Sequence, residues 1–214
     1  MMTTQVKICG IRTQGALEAA LEGGTAFIGF VFFEASPRNI EVDIARELVS
    51  MIPAGVSSVG LFVDPSDEEL EHVLKHVQLD MIQLHGTETP KRVREIKKRF
   101  KLPIMKAFSV STAQDVVRVY AYEDVADWYV FDAKAQEGSR VPGGTGQSFD
   151  WALLAEEDFD KPWMLSGGLT LENVEQALMI LSPTAVDVSS GVESSRGEKD
   201  PAKIKAFLEA VNKV

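Results

Sequence analysis

Cysteine, histidine and long apolar stretches are all scarce in this chain, and each shortage narrows what it can be. A single cysteine, Cys9, excludes an internal disulfide framework; it is a buried thiol, a reactive one, or incidental to the fold. Three histidines offer little to ligate a metal with. His72 and His76 lie four apart on a predicted helix, a spacing able to bind metal, but Val73-Leu74-Lys75 between them brings no glutamate and the helix lies on the outside, so no metal is expected. No apolar run is long enough to span a bilayer, and Met1-Met2-Thr3-Thr4-Gln5 lacks the basic-then-apolar pattern of a signal peptide; a cytoplasmic protein without membrane contact is expected. Basic charge is also in deficit, with 22 Lys and Arg against 32 Asp and Glu, and the net charge of −10 argues against a nucleic-acid surface. A small anion stays admissible, because a nest of backbone N–H groups or a helix N-terminus overcomes an unfavourable global field.

What is present is the makeup of an ordinary globular protein, 45% hydrophobic and 25% charged, with no linker-like break in 214 residues; one domain over residues 1–214 is expected. Eight short apolar runs recur, near Val6–Ile8, Ala26–Phe32, Val59–Val63, Met81–Leu84, Ile104–Phe108, Trp128–Phe131, Trp163–Leu165 and Ala185–Val188. Helical periodicity fills most of the gaps, and the helix starts have a mechanism. Thr13 caps a helix ending at Gly23-Gly24; Ser66 with Glu69 and Ser111 with Gln114 have capping-box spacing; Thr89-Pro90 and Asp200-Pro201 pair an N-cap with proline at the first helical position. About 27 residues per βα unit predicts a compact α/β fold, a (β/α)8 TIM barrel. An open doubly wound sheet competes, but Lys7-Ile8-Cys9-Gly10-Ile11-Arg12 is not its glycine fingerprint.

In a barrel the chemistry sits where strands end, so those junctions are the places to look. Two late loops there are short of bulk, Ser166-Gly167-Gly168 after the seventh run and Ser189-Ser190-Gly191 after the eighth, where barrels commonly bind phosphate. Pro142-Gly143-Gly144-Thr145-Gly146, after the sixth, is a lid or a third phosphate contact. Strand alternation puts Cys9 and Lys7 on one face and Val6 and Ile8 on the other, which points Cys9 into the barrel mouth. There it is an apolar filler, or a base whose thiolate fraction a cation such as Lys7 enlarges. Asp132 closes the sixth run and faces Cys9 across the mouth, as an acid or as a cap of the next loop. Asp187 and His85 end the eighth and fourth runs and either line the pocket or are structural; Arg38, in the long second loop, either clamps a carboxylate or is solvated.

Taken together, Val6-Lys7-Ile8-Cys9-Gly10-Ile11, Gly29-Phe30-Val31-Phe32 with Ser36-Pro37-Arg38, Val59-Gly60-Leu61-Phe62-Val63, Ile82-Gln83-Leu84-His85-Gly86, Phe131-Asp132-Ala133, Gly143-Gly144-Thr145-Gly146 with Phe149-Asp150-Trp151, Ser166-Gly167-Gly168-Leu169 and Asp187-Val188-Ser189-Ser190-Gly191-Val192-Glu193 resemble, in this order, the phosphoribosylanthranilate isomerases of tryptophan biosynthesis. The resemblance covers nearly the whole chain. It implies an Amadori rearrangement of N-(5-phosphoribosyl)anthranilate to the 1-deoxyribulose phosphate, without cofactor or metal. It implies Asp132 as general acid, Cys9 as general base, Arg38 on the anthranilate carboxylate with His85 and Asp187 nearby, and phosphate on Gly144, Ser166, Gly167, Gly168, Ser189, Ser190 and Gly191. The partner so implied is a phosphorylated aminosugar, bound by a monomer, with a homodimer as the alternative. One departure is Arg196, where the family pattern leads us to expect proline before Gly197; it puts the shape of that loop in question. A metal-dependent epimerase on the same scaffold needs more histidines than this chain has, and a non-catalytic phosphosugar-binding barrel has no use for both Cys9 and Asp132.

Overall fold

The computed structural model describes residues 4–134 and 148–214. Eight parallel strands, β1 (Gln5–Cys9), β2 (Phe27–Val31), β3 (Ser57–Phe62), β4 (Met81–Leu84), β5 (Ile104–Val110), β6 (Trp128–Ala133), β7 (Trp163–Leu165) and β8 (Ala185–Val188), close into a barrel in chain order, with β8 pairing back onto β1. Helices α1 (Gln14–Glu22), α2 (Val42–Val49), α3 (Asp67–His76), α4 (Pro90–Phe100), α5 (Ala113–Val117), α6 (Ala152–Ala155), α7 (Val174–Ile180) and α8 (Pro201–Val211) alternate with the strands. The β-branched and aromatic runs are therefore barrel strands, and the expected (β/α)8 architecture is the observed one.

Period-two alternation divides the apolar side chains between two cores. Outward-facing Ile8, Ile28, Phe30 and Ile82 are fully buried beneath Leu70, Val93, Ile96 and Phe207 of the helices. Each such side chain contributes about 1.5–3 kcal/mol by leaving water. Inward-facing Phe27, Val59, Met81, Met105, Val130, Met164 and Ala185 fill the barrel itself, and Cys9, Val31 and Leu61 form a small apolar layer above them. The barrel is a packed plug with a pocket at one end.

The helix starts follow local chemistry. Thr13, Ser66, Thr89 and Asp200 cap as their spacing predicts, Ser66 and Glu69 completing a reciprocal box. At α5 the expected pair, Ser111 with Gln114, is corrected by one residue. The cap is Thr112 with Asp115, whose Oδ2 accepts from the N–H and hydroxyl of both Ser111 and Thr112 at 2.9–3.1 Å. An ionised carboxylate takes four donors where the neutral Gln114 amide takes fewer, so it sets the register. After β8 the chain forms a short hairpin, β9 (Glu193–Ser195) with β10 (Glu198–Lys199), whose turn holds Arg196 and Gly197. Gly197 sits at φ +88° with Pro37 O 2.6 Å from where a Cβ would lie, while Arg196 is exposed at the tip. The unexpected arginine thus occupies a solvent-facing turn.

Candidate active site

The C-terminal ends of the strands open on one pocket, and most of the anticipated residues line it: Cys9 from β1, Arg38 from the loop after β2, His85 after β4, Asp132 at the end of β6, Ser166, Gly167 and Gly168 after β7, Asp187 in β8, and Ser189 and Ser190 beyond it. Two anticipated residues are not among them. Gly144 lies outside the described residues. Gly191 packs against the backbone of Leu169, leaving no room for a Cβ, so it lets the two late loops touch rather than lining the pocket. Among the described residues, the N–H groups of the pocket-lining Gly168 and Ser190 meet no protein acceptor, which leaves backbone donors at this end of the pocket.

Cys9 and Asp132 come from strands separated around the barrel by β7 and β8, and both are buried. Asp132 is held by two donors: its own loop, through Ala133 N to Oδ1 at 2.9 Å, and His85, whose Nε2 lies 3.0 Å from Oδ2. Gln83 Nε2 stands 3.3 Å from His85 Nδ1, so both ring nitrogens have a polar neighbour. Gly167, at φ +85°, brings the β7 loop against the acid; an added Cβ would sit 3.0 Å from Asp132 Oδ1. His85 is thus a partner of the acid, a contact invisible in the sequence.

Lys7 is fully buried and donates to Asp187 Oδ1 at 2.9 Å, while Ser166 Oγ donates to Asp187 Oδ2 at 3.2 Å. Burial works against the Lys7 charge, yet the Asp187 carboxylate and Cys9 hold its pKa above the ordinary lysine value. Lys7 favours the Cys9 thiolate, as expected of a nearby cation, and Lys199 does the same, but burial, the largest influence, together with Asp187 still leaves the thiol above its ordinary pKa. The lysine's charge is already matched by Asp187.

Arg38, for which a solvated loop position was the alternative, is buried instead. It donates Nε to Glu193 Oε1 at 2.7 Å and Nη2 to Glu193 Oε2 at 3.1 Å. Burial disfavours the Glu193 carboxylate, but Arg38, Lys199 and the Gly197 N–H bring its pKa down to about 2. Sequence reasoning assigned no role to Glu193 or Lys199, and it missed an apolar wall of Val31, Phe33, Leu61 and Val63. The wall was available as an alternation of inward positions continued past the ends of β2 and β3. His72 and His76 lie on the exposed face of α3, their rings tilted by 59° with centroids 5.2 Å apart, and among the described residues no cluster of His, Cys, Asp and Glu is arranged to hold a metal.

Glycine loops, a buried thiol and a buried acid at the C-terminal mouth of a closed barrel make the pocket of a small-molecule enzyme. The model of the N-(5'-phosphoribosyl)anthranilate isomerase family matches residues 6–210. An N-(5'-phosphoribosyl)anthranilate isomerase of Paramagnetospirillum magneticum is 51% identical over 209 residues, covering 98% of this chain and 97% of its own length. The crystal structure of phosphoribosylanthranilate isomerase from Thermotoga maritima superposes with a TM-score of 0.88 at 37% identity, covering 99% and 100% of the two chains. A further isomerase structure, in complex with reduced 1-(o-carboxyphenylamino)-1-deoxyribulose 5-phosphate, gives 0.84 at 34% identity, again over 99% and 100%. The chain belongs to the N-(5'-phosphoribosyl)anthranilate isomerase family, and it is an isomerase of tryptophan biosynthesis.

Proposed function

We propose that Asp132 and Cys9 divide the proton transfers of the Amadori rearrangement of N-(5-phosphoribosyl)anthranilate between them. Asp132 protonates the furanose ring oxygen; the bond from that oxygen to C1 breaks, and the nitrogen lone pair closes the C1=N iminium. Cys9, as thiolate, removes the C2 proton, and the electron pair moves to give an enolamine. The enolamine tautomerises to the ketose, C1 taking up a proton as the C2 hydroxyl releases one to solvent, and transfer of the proton held by Cys9 through solvent to the Asp132 carboxylate restores both groups. His85 orients the carboxyl of Asp132 from 3.0 Å. Arg38 receives the anthranilate carboxylate, the Val31, Phe33, Leu61 and Val63 wall takes the aromatic ring, and the loops around Gly168 and Ser190 take the phosphate.

The single observation that carries this division is that Cys9 and Asp132 stand on separated strands lining one pocket, between an apolar wall at one end and unclaimed backbone donors at the other. A substrate with an aromatic head and a phosphate tail spans that length, with its sugar between acid and base. The test is turnover of N-(5-phosphoribosyl)anthranilate by Cys9→Ala and Asp132→Asn. Each is expected to lose at least about 10²-fold in kcat, the usual worth of one positioned proton-transfer group. Near-normal turnover in both overturns the assignment.

Residues 1–214 act in this reading as one catalytic domain and as a monomer. Its large exposed apolar side chains come from several elements, Ile44 from α2, Val117 from α5, and Met179 and Ile180 from α7. Sedimentation at micromolar concentration checks the monomer; a homodimer is the other outcome. A cytoplasmic enzyme is part of this reading; among the described residues no helix is long and apolar enough to cross a membrane.

A further inference from the structure

We infer that Glu193 is a positioning residue for the reaction, one that orients the Arg38 guanidinium so that its remaining N–H groups face the substrate carboxylate. The inference rests on Arg38 holding that carboxylate. An arginine bound to one acid through Nε and Nη2 keeps Nη1 and the second Nη2 hydrogen for another, and among the described residues these meet no protein acceptor. The stem is fixed as well. Gly10, at φ +83°, would place a Cβ 3.0–3.3 Å from the Arg38 Cβ, Cγ and Cδ, so the arginine lies along the bare backbone after β1.

Glu193 is in turn held from three further directions. Gly197 N donates to Oε2 at 3.0 Å, Lys199 Nζ to Oε1 at 2.7 Å, and Lys203 Nζ to the main-chain oxygen at 2.7 Å. Lys199 also donates to Ser189 O at 3.0 Å and Ser189 Oγ at 3.2 Å, and Ser189 Oγ donates to Cys9 O at 3.0 Å. One buried carboxylate thus ties the residue facing the substrate's carboxylate to the loop beside its phosphate and to the strand that carries the base. Arg38 and Lys199 on one acid make a charge network whose parts hold one another's geometry.

The test measures binding of two stable reduced product analogues, the 1-(2-carboxyphenylamino) sugar phosphate and its phenylamino counterpart lacking the carboxylate, to wild type and Glu193→Gln. Wild type is expected to prefer the carboxylated analogue by about tenfold to a hundredfold. In Glu193→Gln the preference falls by about tenfold, the des-carboxy analogue binds within about twofold of wild type, and KM rises more than kcat falls. Equal weakening of both analogues, or an unchanged preference, overturns the role of Glu193 while leaving that of Arg38. Absence of any preference in wild type overturns the carboxylate role of Arg38 first, and the inference with it. Should Glu193→Gln not fold, Glu193→Asp keeps the charge, withdraws it by one methylene, and is expected to lose preference in the same direction.

Discussion

Replacing Lys7 by Met probes the most deeply buried charge among the described residues. Lys7 is 0% exposed and its partner Asp187 5% exposed, joined at 2.9 Å. Methionine fills similar volume but leaves Asp187 with a single hydroxyl partner, Ser166 at 3.2 Å. Breaking a buried pair by removing one member costs about 3–5 kcal/mol, because the survivor is an uncompensated buried charge. That is a large part of a total stability of about 5–15 kcal/mol. With a urea slope of about 2 kcal/mol/M the denaturation midpoint falls by about 1.5–2.5 M. Adding Asp187→Asn removes the orphaned charge and is expected to recover much of the loss. Lys7→Met alone also withdraws the cation that most favours the Cys9 thiolate, so the ascending limb of kcat/KM moves to higher pH. A loss below about 1 kcal/mol, no recovery in the double variant, or a limb that moves to lower pH refutes the reasoning.

Burial already raises the Cys9 thiol, so wild-type kcat/KM is expected to climb with pH from neutrality upward, and a profile falling over that range contradicts a thiolate base. Glu193 ionises at about 2 in the fold against 4.5 ordinarily, so its contribution, about 3 kcal/mol, is complete above pH 4.5 and is lost as pH falls towards 2. Acid unfolding of Glu193→Gln should lack that slope over the same interval. Gly167→Ala forces a side chain into φ +85° and against Asp132, and should cost at least about 1 kcal/mol in stability together with slower turnover, read by thermal denaturation and steady-state kinetics.

The barrel was legible because its strands are buried on both faces and read as apolar runs, and because Thr13, Ser66, Thr89 and Asp200 mark helix starts by local bonds alone. At α5 the spacing of Ser111 and Gln114 misled by one residue, because Asp115, the next position, gathers the four donors of Ser111 and Thr112. Strand parity likewise placed Cys9 in the mouth and Asp132 at the end of a strand facing it. What the sequence hid was pairing over distance. His85 meets Asp132 across 47 residues, Lys7 meets Asp187 across 180, and Arg38 meets Glu193 across 155. No local pattern encodes such partners; the closed barrel creates them by bringing the ends of different strands together. The pairing with Glu193 also turns a seemingly isolated loop arginine into a buried, oriented donor.

The most direct test of the acid-base account is single-turnover loss of substrate fluorescence in Cys9→Ala and Asp132→Asn, with binding of the reduced product analogue measured alongside. The account predicts that both variants bind the analogue while turnover falls by at least about 10²-fold; turnover close to wild type with binding intact contradicts it.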